Sequence, residues 1–398
     1  MEGGFDLGFL GGGQLARMSI QAAQRMGLRC LSLDPDPVSP ASQIGPCVAG
    51  RLSDPESVAR LVRPCRRVTL ENEFIPAHTI AEAFQEAKRD PGVMIPGLET
   101  LAVIQDKLAQ RQAYERAGVP APKAVAIDDD GALAIAKIGF PMVLKARFGG
   151  YDGRGTRFAR NPEEFEEHRS VWAGGGWMAE AFVPFKRELA VMVYRWVASP
   201  PAAPKARIEA GCFPTMETVQ RDHVCDLVFP ADADGSRIAI AAVEAVEGLG
   251  LYGVELFETE DGQLSVNEIA PRPHNTGHYT LDWGGISQFD QHVRVCMGMP
   301  PGPLDGVPAC MANLLGQPGA KDWRRGLLAA LAGDAGIRVH WYGKQETRPG
   351  RKMGHLNAVG GDIVGRAVAA RERFYAAWTD RAPGDRGGDP GDPRTEED

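Results

Sequence analysis

Hydrophobic and polar positions follow two rhythms along the first hundred residues. LGFLG (7–11) is a short apolar run of strand type, and GQLARMSIQAAQRMG (13–27) sets its apolar residues at helical spacing before a closing glycine. LRCLSLD reads as a second strand ending at Asp34. RVTLENEF (Arg67–Phe74) reads as a later strand, and a helix follows from about Ala77 to Lys88. This alternation predicts a parallel sheet covered by helices, a Rossmann-like α/β domain over residues 1–100. The turn-rich DPGVMIPGLET (90–100) marks its end.

Beyond it the pattern becomes irregular, of α+β type. AVIQDKLAQRQAYERAGV (102–119) reads as one amphipathic helix. PMVLK is a strand, and glycines then lead into TRFAR, a second strand. The next helix starts only after Asn161-Pro162, so the glycines sit at the tip of a hairpin flap. We place this flap in a subdomain of about 120–182, inside a domain spanning 101–309. AEAFVPFKREL (179–189) begins as a strand, and ASPPAAPKARIE (198–209) reads as a loop between two strands. A small β-rich domain is expected at 310–374 and a disordered tail at 375–398. The tail's last stretch, RAPGDRGGDPGDPRTEED, carries six acids against three arginines among Gly and Pro, too little apolar surface to order itself.

Composition narrows the classes. The chain of 398 residues is too long for a single core. Its net charge of −8 argues against a nucleic-acid surface, which needs clustered Lys and Arg. No apolar run approaches a membrane span, and MEGGFDLGFLGGG lacks the basic flank and long apolar region of a secretion signal. Seven scattered cysteines without a C-x-x-C pair predict neither a disulfide framework nor a zinc site. We therefore expect a protein of the reducing cytoplasm with no membrane and no nucleic-acid partner.

Two stretches carry candidate chemistry. VLKARFGGYDGRGTRF (143–158) is glycine-rich but lacks the lysine of a P-loop and the following helix of a dinucleotide loop. A hairpin flap of this kind can offer backbone N–H groups to phosphates, with Lys145 adding a point charge. The alternative is a mobile surface hairpin. In YGVELFETEDGQLSVNEIAPRPHN (252–275), Asp261-Gly262 signals a two-residue turn. Pairing Glu260 with Gln263 then sets Glu255 directly opposite Glu268, β-carbons roughly 5 Å apart. Like charges so placed destabilise a sheet unless compensated, and magnesium favours such carboxylates together with substrate phosphates. Asn267 would point to the other face of a regular strand. The alternative is an exposed pair at a sheet edge. Glycine flap, lysine and paired glutamates together suggest a magnesium nucleoside triphosphate.

Further along, the strand at Glu180 could bind a purine edge through its backbone, and Glu180 or Glu188 could take an amine or ribose hydroxyls. RPHNTGH (272–278) gathers Arg272, His274 and Asn275 after the hairpin. YGKQETRPGRKMGH (342–355) concentrates cations in a turn-rich loop suited to a phosphate monoester or carboxylate, or else merely solvated. Alternation sets Glu71 and Glu73 on one face at a strand end, where ligands bind in such sheets. Gly11-x-Gly13-x-x-Ala16 with Asp34 fits the dinucleotide fingerprint loosely.

The run of GGGQL, TLENEF, QDK, VLKARFGGYDGRG, EAFVPFKRE, NEIAPRPHNTGH, SQFDQHVR and RPGRKMGH resembles 5-(carboxyamino)imidazole ribonucleotide synthase, from about residue 7 to 370. The resemblance implies an ATP-grasp fold preceded by a Rossmann-like pre-ATP-grasp domain. It implies carboxylation of 5-aminoimidazole ribonucleotide with ATP and bicarbonate in purine synthesis, and a homodimer. By similarity, ATP would be held by Lys107, Lys145, the flap (Gly150, Tyr151, Asp152, Gly153, Arg154, Gly155, Thr156), Glu180, Ala181, Phe182, Val183, Glu188 and His223. Glu255 and Glu268, with Asn267 nearby, would hold Mg²⁺ or Mn²⁺. The ribonucleotide would meet Gln14, Glu73, Tyr151, Asp152 and Asn275, its phosphate Lys344, Arg351 and Lys352. Arg272 and His274 would serve bicarbonate and carboxyphosphate, with Lys352 beside them, and Asp152 would accept a proton.

Gly12 stands where the family often has Asn, and Thr218 follows Glu217 in place of Asn. Three other readings compete: a sister ATP-grasp ligase such as formate-dependent glycinamide ribonucleotide transformylase, an NAD oxidoreductase built on the N-terminal fingerprint, and an inactive ligand-sensing relative.

Overall fold

A computed structural model describes residues 4–150, 155–198, 207–221 and 223–379. The chain opens with β1 (Phe5–Leu10), α1 (Gln14–Arg25), β2 (Cys30–Asp34), β3 (Cys47–Ala49), α2 (Pro55–Val62), β4 (Cys65–Leu70) and α3 (Ala77–Glu86). The strands form a parallel sheet in the order β3-β2-β1-β4. Alternation along β1 sends Leu7 and Phe9 to one face and Leu10 to the other, so each face has its own core. Leu7 and Phe9 pack with α1 and, from far along the chain, with Phe289 and Val293. β4 stops at Leu70, so Glu71 and Glu73 lie in the turn beyond it and not, as alternation suggested, on one strand face.

The helix expected over 102–119 is two helices, α4 (Leu98–Gln105) and α5 (Lys107–Ala117). Asp106 between them is extended (φ −101, ψ 104), and its carboxylate caps α5 by accepting from the Leu108 N–H at 3.0 Å.

Next come β5 (Ala124–Ala126), α6 (Ala132–Lys137), β6 (Met142–Ala146), β7 (Thr156–Ala159), α7 (Pro162–Glu167), α8 (Arg169–Trp172) and β8 (Trp177–Ala181). They form an antiparallel sheet in the order β5-β8-β6-β7. β6 and β7 are the expected hairpin, with Lys145 paired to Thr156. Tyr151, Asp152, Gly153 and Arg154, expected in the flap, lie outside the described residues.

A nine-stranded sheet organises the rest. It begins with β9 (Phe185–Ala198), β10 (Arg207–Cys212), β11 (Met216–Arg221) and β12 (Val224–Pro230). After α9 (Ser236–Ala245) come β13 (Gly250–Thr259), β14 (Leu264–Ala270) and α10 (Gln288–Cys296), the helix that carries Phe289 to the first domain. β9 and β10 pair across the expected 198–209 loop, of which Arg207–Glu209 is already strand and 199–206 lies outside the described residues.

The last region holds β15 (Ala309–Leu315), α11 (Trp323–Gly333), β16 (Arg338–Trp341), β17 (Lys352–Val359) and α12 (Ile363–Thr379). Its strands continue the large sheet, since β12 pairs with β15. Residues 375–379, expected in the tail, belong to α12, where Trp378 is fully buried beside Phe374. An apolar residue every third or fourth position keeps that helix going; reading composition alone missed it.

Candidate active site

The hairpin expected to hold a metal forms with the predicted facing pair but by another route. The strands end at Thr259 and Leu264, and the Thr259 N–H donates to the Gln263 carbonyl at 3.0 Å, so Glu260 and Gln263 are not partners. Near the turn Leu256 pairs with Val266, one step out of the predicted register. A bulge between Glu255 and Leu256 absorbs Asn267 and restores the alignment, leaving Glu255 opposite Glu268. The bulge also turns Asn267 inward: its Oδ1 accepts from Lys145 Nζ at 3.5 Å.

Both glutamates line a cavity of about 590 Å³ between the flap sheet and the large sheet. Burial, Glu268 and Glu188 push the Glu255 carboxyl above its usual range. Burial also pushes Glu268 up, but Lys107, Lys145 and Arg111 outweigh it and leave that carboxyl below the usual range. Lys107 Nζ lies 2.8 Å from Glu268 Oε1. Among the described residues no three His, Cys, Asp or Glu side chains cluster as a complete cation cage. Two facing carboxylates and an amide oxygen instead suit an ion that completes its shell with phosphate oxygens.

On the flap side Lys145 and Arg111 share one carboxylate, Glu180, each at 2.7 Å. Glu180 is 2% exposed, so its side chain is committed to these cations and not to an amine or ribose. Burial lowers the Lys145 pKa despite Glu180. Arg111 also donates to the Asn267 carbonyl at 2.6 Å, locking the bulge. The sequence reading missed Arg111, although it lies one turn after Lys107 on the same helix face.

Gly150, Gly155, Thr156, Ala181, Phe182, Val183, Glu188 and His223 also line the cavity. Burial raises the Glu188 pKa, against Gln220, His223 and Lys145. Phe158, Phe182 and Phe185 are 49%, 41% and 43% exposed, yet they edge this cleft, and Phe185 stacks on Phe257 at 4.6 Å. Exposed aromatic rings beside a cavity suit a planar base; their spacing along the chain offered no signal.

At the other end of the cavity lie Gln14, Glu71, Glu73, Arg272, His274, Asn275 and Lys352. Arg272 and Glu73, expected to serve different substrates, form an ion pair with Nη2 2.8 Å from Oε1. Asn275 exchanges amide hydrogen bonds with buried Asn313, so its side chain already has a partner. The His274 ring accepts or donates at Thr276 Oγ1 (2.9 Å), with Glu255 Oε1 3.6 Å from its Nε2. Burial, Arg272 and Lys352 push its pKa down to about 3, so it is neutral at physiological pH. Lys344 donates to the Lys352 carbonyl at 2.7 Å, and Arg351 to the Glu346 carbonyl at 2.8 Å; both sit behind Lys352 rather than on the cavity wall.

The N-terminal glycine loop does not form a dinucleotide site. Asp34, which such a site would spend on ribose, accepts from the Gly12 N–H at 2.8 Å. Glu71 Oε1 accepts from the Leu15 N–H at 3.4 Å, at the start of α1 where a pyrophosphate would lie. A Cβ on Gly13 would fall 2.2 Å from that oxygen, so the glycine makes room for a protein carboxylate.

The chain is similar to known proteins along most of its length. Residues 5–105 match the ribonucleotide synthetase preATP-grasp domain, 112–289 the ATP-grasp domain, and 309–367 the phosphoribosylaminoimidazole carboxylase C-terminal domain. The chain is 37% identical over 365 residues to the N5-carboxyaminoimidazole ribonucleotide synthase of Synechococcus elongatus, covering 88% of each. It is 36% identical to the phosphoribosylaminoimidazole carboxylase of Ogataea methanolica, covering 89% of this chain and 66% of that longer one. A crystal structure of N5-carboxyaminoimidazole synthase from Aspergillus clavatus with ADP and 5-aminoimidazole ribonucleotide superposes with a TM-score of 0.80 at 29% identity, covering 95% of this chain and 99% of that one.

Proposed function

The chain belongs to the N5-carboxyaminoimidazole ribonucleotide synthase family, and from that premise we propose how its cavity carries out an ATP-dependent carboxylation. The chain is an ATP-grasp ligase of purine biosynthesis, with 5-aminoimidazole ribonucleotide as its amine substrate. The observation that carries the finer reading is the Glu255–Glu268 pair, facing across one hairpin in the cavity that Lys107 and Lys145 also line.

Glu255, Glu268 and Asn267 would hold magnesium, which would supply positive charge against the triphosphate. Lys107 and Lys145 face the triphosphate, and the Phe158, Phe182 and Phe185 edge takes the base. Gly150, Gly155 and Thr156 cover the phosphates from the flap, and Glu188 and His223 bound the nucleotide. Bicarbonate attacks the γ-phosphorus: one O–P bond forms, the bond to ADP breaks, and carboxyphosphate results. The amine then forms the C–N bond as phosphate leaves, and Asp152 accepts the amine proton. Arg272 keeps N–H groups beyond those given to Glu73, and neutral His274 can donate or accept, so the two steady the carboxylate carbon's oxygens. Gln14 and Glu73 face the ribonucleotide; Lys352, backed by Lys344 and Arg351, meets its phosphate. Closure of the flap keeps water from carboxyphosphate.

We further propose a homodimer acting in the cytoplasm; no helix among the described residues is long and apolar enough to cross a membrane. The test is ¹³C-bicarbonate NMR with parallel ADP measurement. We expect label in an N-carboxylated product and one ADP per product, only when 5-aminoimidazole ribonucleotide is present. ADP formation with formate and not bicarbonate would point to the sister transformylase.

A further inference from the structure

The one place where helix periodicity failed inside a strongly periodic stretch is Asp106, and such failures mark positions where function outweighs local preference. The three residues around that break each reach a different part of the site. Gln105 accepts from the Ala77 N–H at 3.1 Å and donates to the carbonyls of Glu73 (2.7 Å) and Ile75 (2.5 Å). All of these bonds go to main chain, so they fix the loop that carries Glu73 toward Arg272. Asp106 accepts from Arg147 Nε at 3.0 Å and pairs with its Nη2, while the Lys107 N–H donates to the Arg147 carbonyl at 2.9 Å. Arg147 is the first residue past β6, two before Gly149-Gly150 of the flap. Lys107 holds Glu268.

An unbroken helix would place residues 105 and 107 about 200° apart around its axis. The break lets both line one smaller cavity beside the site. The two tethered segments also wall one cavity of about 280 Å³, with Phe74 on the loop and Phe148 at the flap root. Asp106 is 9% exposed, so its carboxylate holds Arg147 with little competition from water.

We propose that Gln105 and Asp106 are positioning residues that tie the amine pocket to the root of the flap at residues 147–150, so that the two keep register and carboxyphosphate is retained. Gln105 acts through Glu73, and Asp106 through Arg147. The inference takes its substrates from the ligase reading above.

Gln105→Ala and Asp106→Asn separate the two ties. Asn caps a helix as well as Asp does, so the second variant keeps α5 while it removes the negative charge and one of the two acceptor oxygens facing Arg147. For Gln105→Ala we expect KM for 5-aminoimidazole ribonucleotide to rise about tenfold or more and KM for ATP to stay within about twofold, the scale of lost hydrogen bonds on one side only. For Asp106→Asn we expect ADP released per carboxylated product to climb from about one to about three or more, as an unretained intermediate hydrolyses. Backbone hydrogen exchange should quicken at Ile75 and Ala77 in the first variant and at 148–150 in the second. Unchanged KM, ADP ratio and exchange would overturn the proposal. So would both KM values rising in parallel with a drop in thermal midpoint, the mark of general destabilisation. If the wild type forms no ADP with amine and bicarbonate, the ligase reading fails; exchange that stays unchanged in both variants then overturns the junction separately.

Discussion

The molecule has two glycine loops beside the same cavity, and they do opposite things. Gly11–Gly13 fits a nucleotide fingerprint better, yet its glycines make room for the carboxylates of Glu71 and Asp34. Gly149–Gly155 fits no fingerprint, yet Gly150 and Gly155 line the cavity with Lys145. A helix N-terminus attracts an anion, and here a protein side chain already supplies it. Glycine spacing shows where backbone comes close to something; what it comes close to depends on the rest of the fold.

The largest effect should come from the lysine beside the second loop. Lys145→Met is expected to lower kcat/KM for ATP by about a hundredfold or more, because a charge aimed at the phosphates is lost in a site shielded from water. Arg111 keeps Glu180 paired, so the fold should survive, as circular dichroism would check.

A pair of glycine variants cuts the comparison in two. Gly13→Ala pushes a Cβ against Glu71, so it should cost about 1–3 kcal/mol of stability in denaturant unfolding and leave KM for ATP within about twofold. Gly155→Ala strains a residue at φ +82 with Ala146 Cβ 3.1 Å away, at the flap's base. It should raise KM for ATP about three- to tenfold with a smaller stability change, near 1 kcal/mol. Reversed outcomes would mean that the first loop binds the nucleotide.

The smallest effect is a pH dependence. Burial, with Arg351 and Lys352, lowers the Lys344 pKa to about 8, against the pull of Glu71. Below that pH the ammonium is charged and would support the proposed phosphate site; above it the charge is lost. KM for the ribonucleotide should then rise by up to about tenfold per pH unit above 8. In Lys344→Arg this rise should flatten, since a guanidinium stays charged.

Much of this was legible in the chain. The parallel sheet and the flap hairpin follow from period, turn residues and length, whereas the expected Glu255–Glu268 pairing holds only because a bulge offsets a register that is one step out near the turn. What escaped depended on contacts between distant segments. The bulge at Asn267 is set by Arg111, 156 residues away, whose guanidinium takes the Asn267 carbonyl. The Arg272–Glu73 pair joins residues 199 apart. Asn275 was read as a ligand because nothing local shows that Asn313 occupies its amide. The break at Asp106 was missed because apolar period outweighed the capping preference of a lone Asp. Phe158, Phe182 and Phe185 come together only when two sheets meet.

The central claim is that Glu255 and Glu268 together bind the cation that accompanies ATP. Electron paramagnetic resonance of Mn²⁺ titrated into wild type, Glu255→Gln and Glu268→Gln, each with ATP, tests it most directly. We expect one ATP-dependent Mn²⁺ per wild-type chain and an affinity weaker by about tenfold or more in each variant, about 1.4 kcal/mol. Equal Mn²⁺ affinity in all three proteins would contradict it.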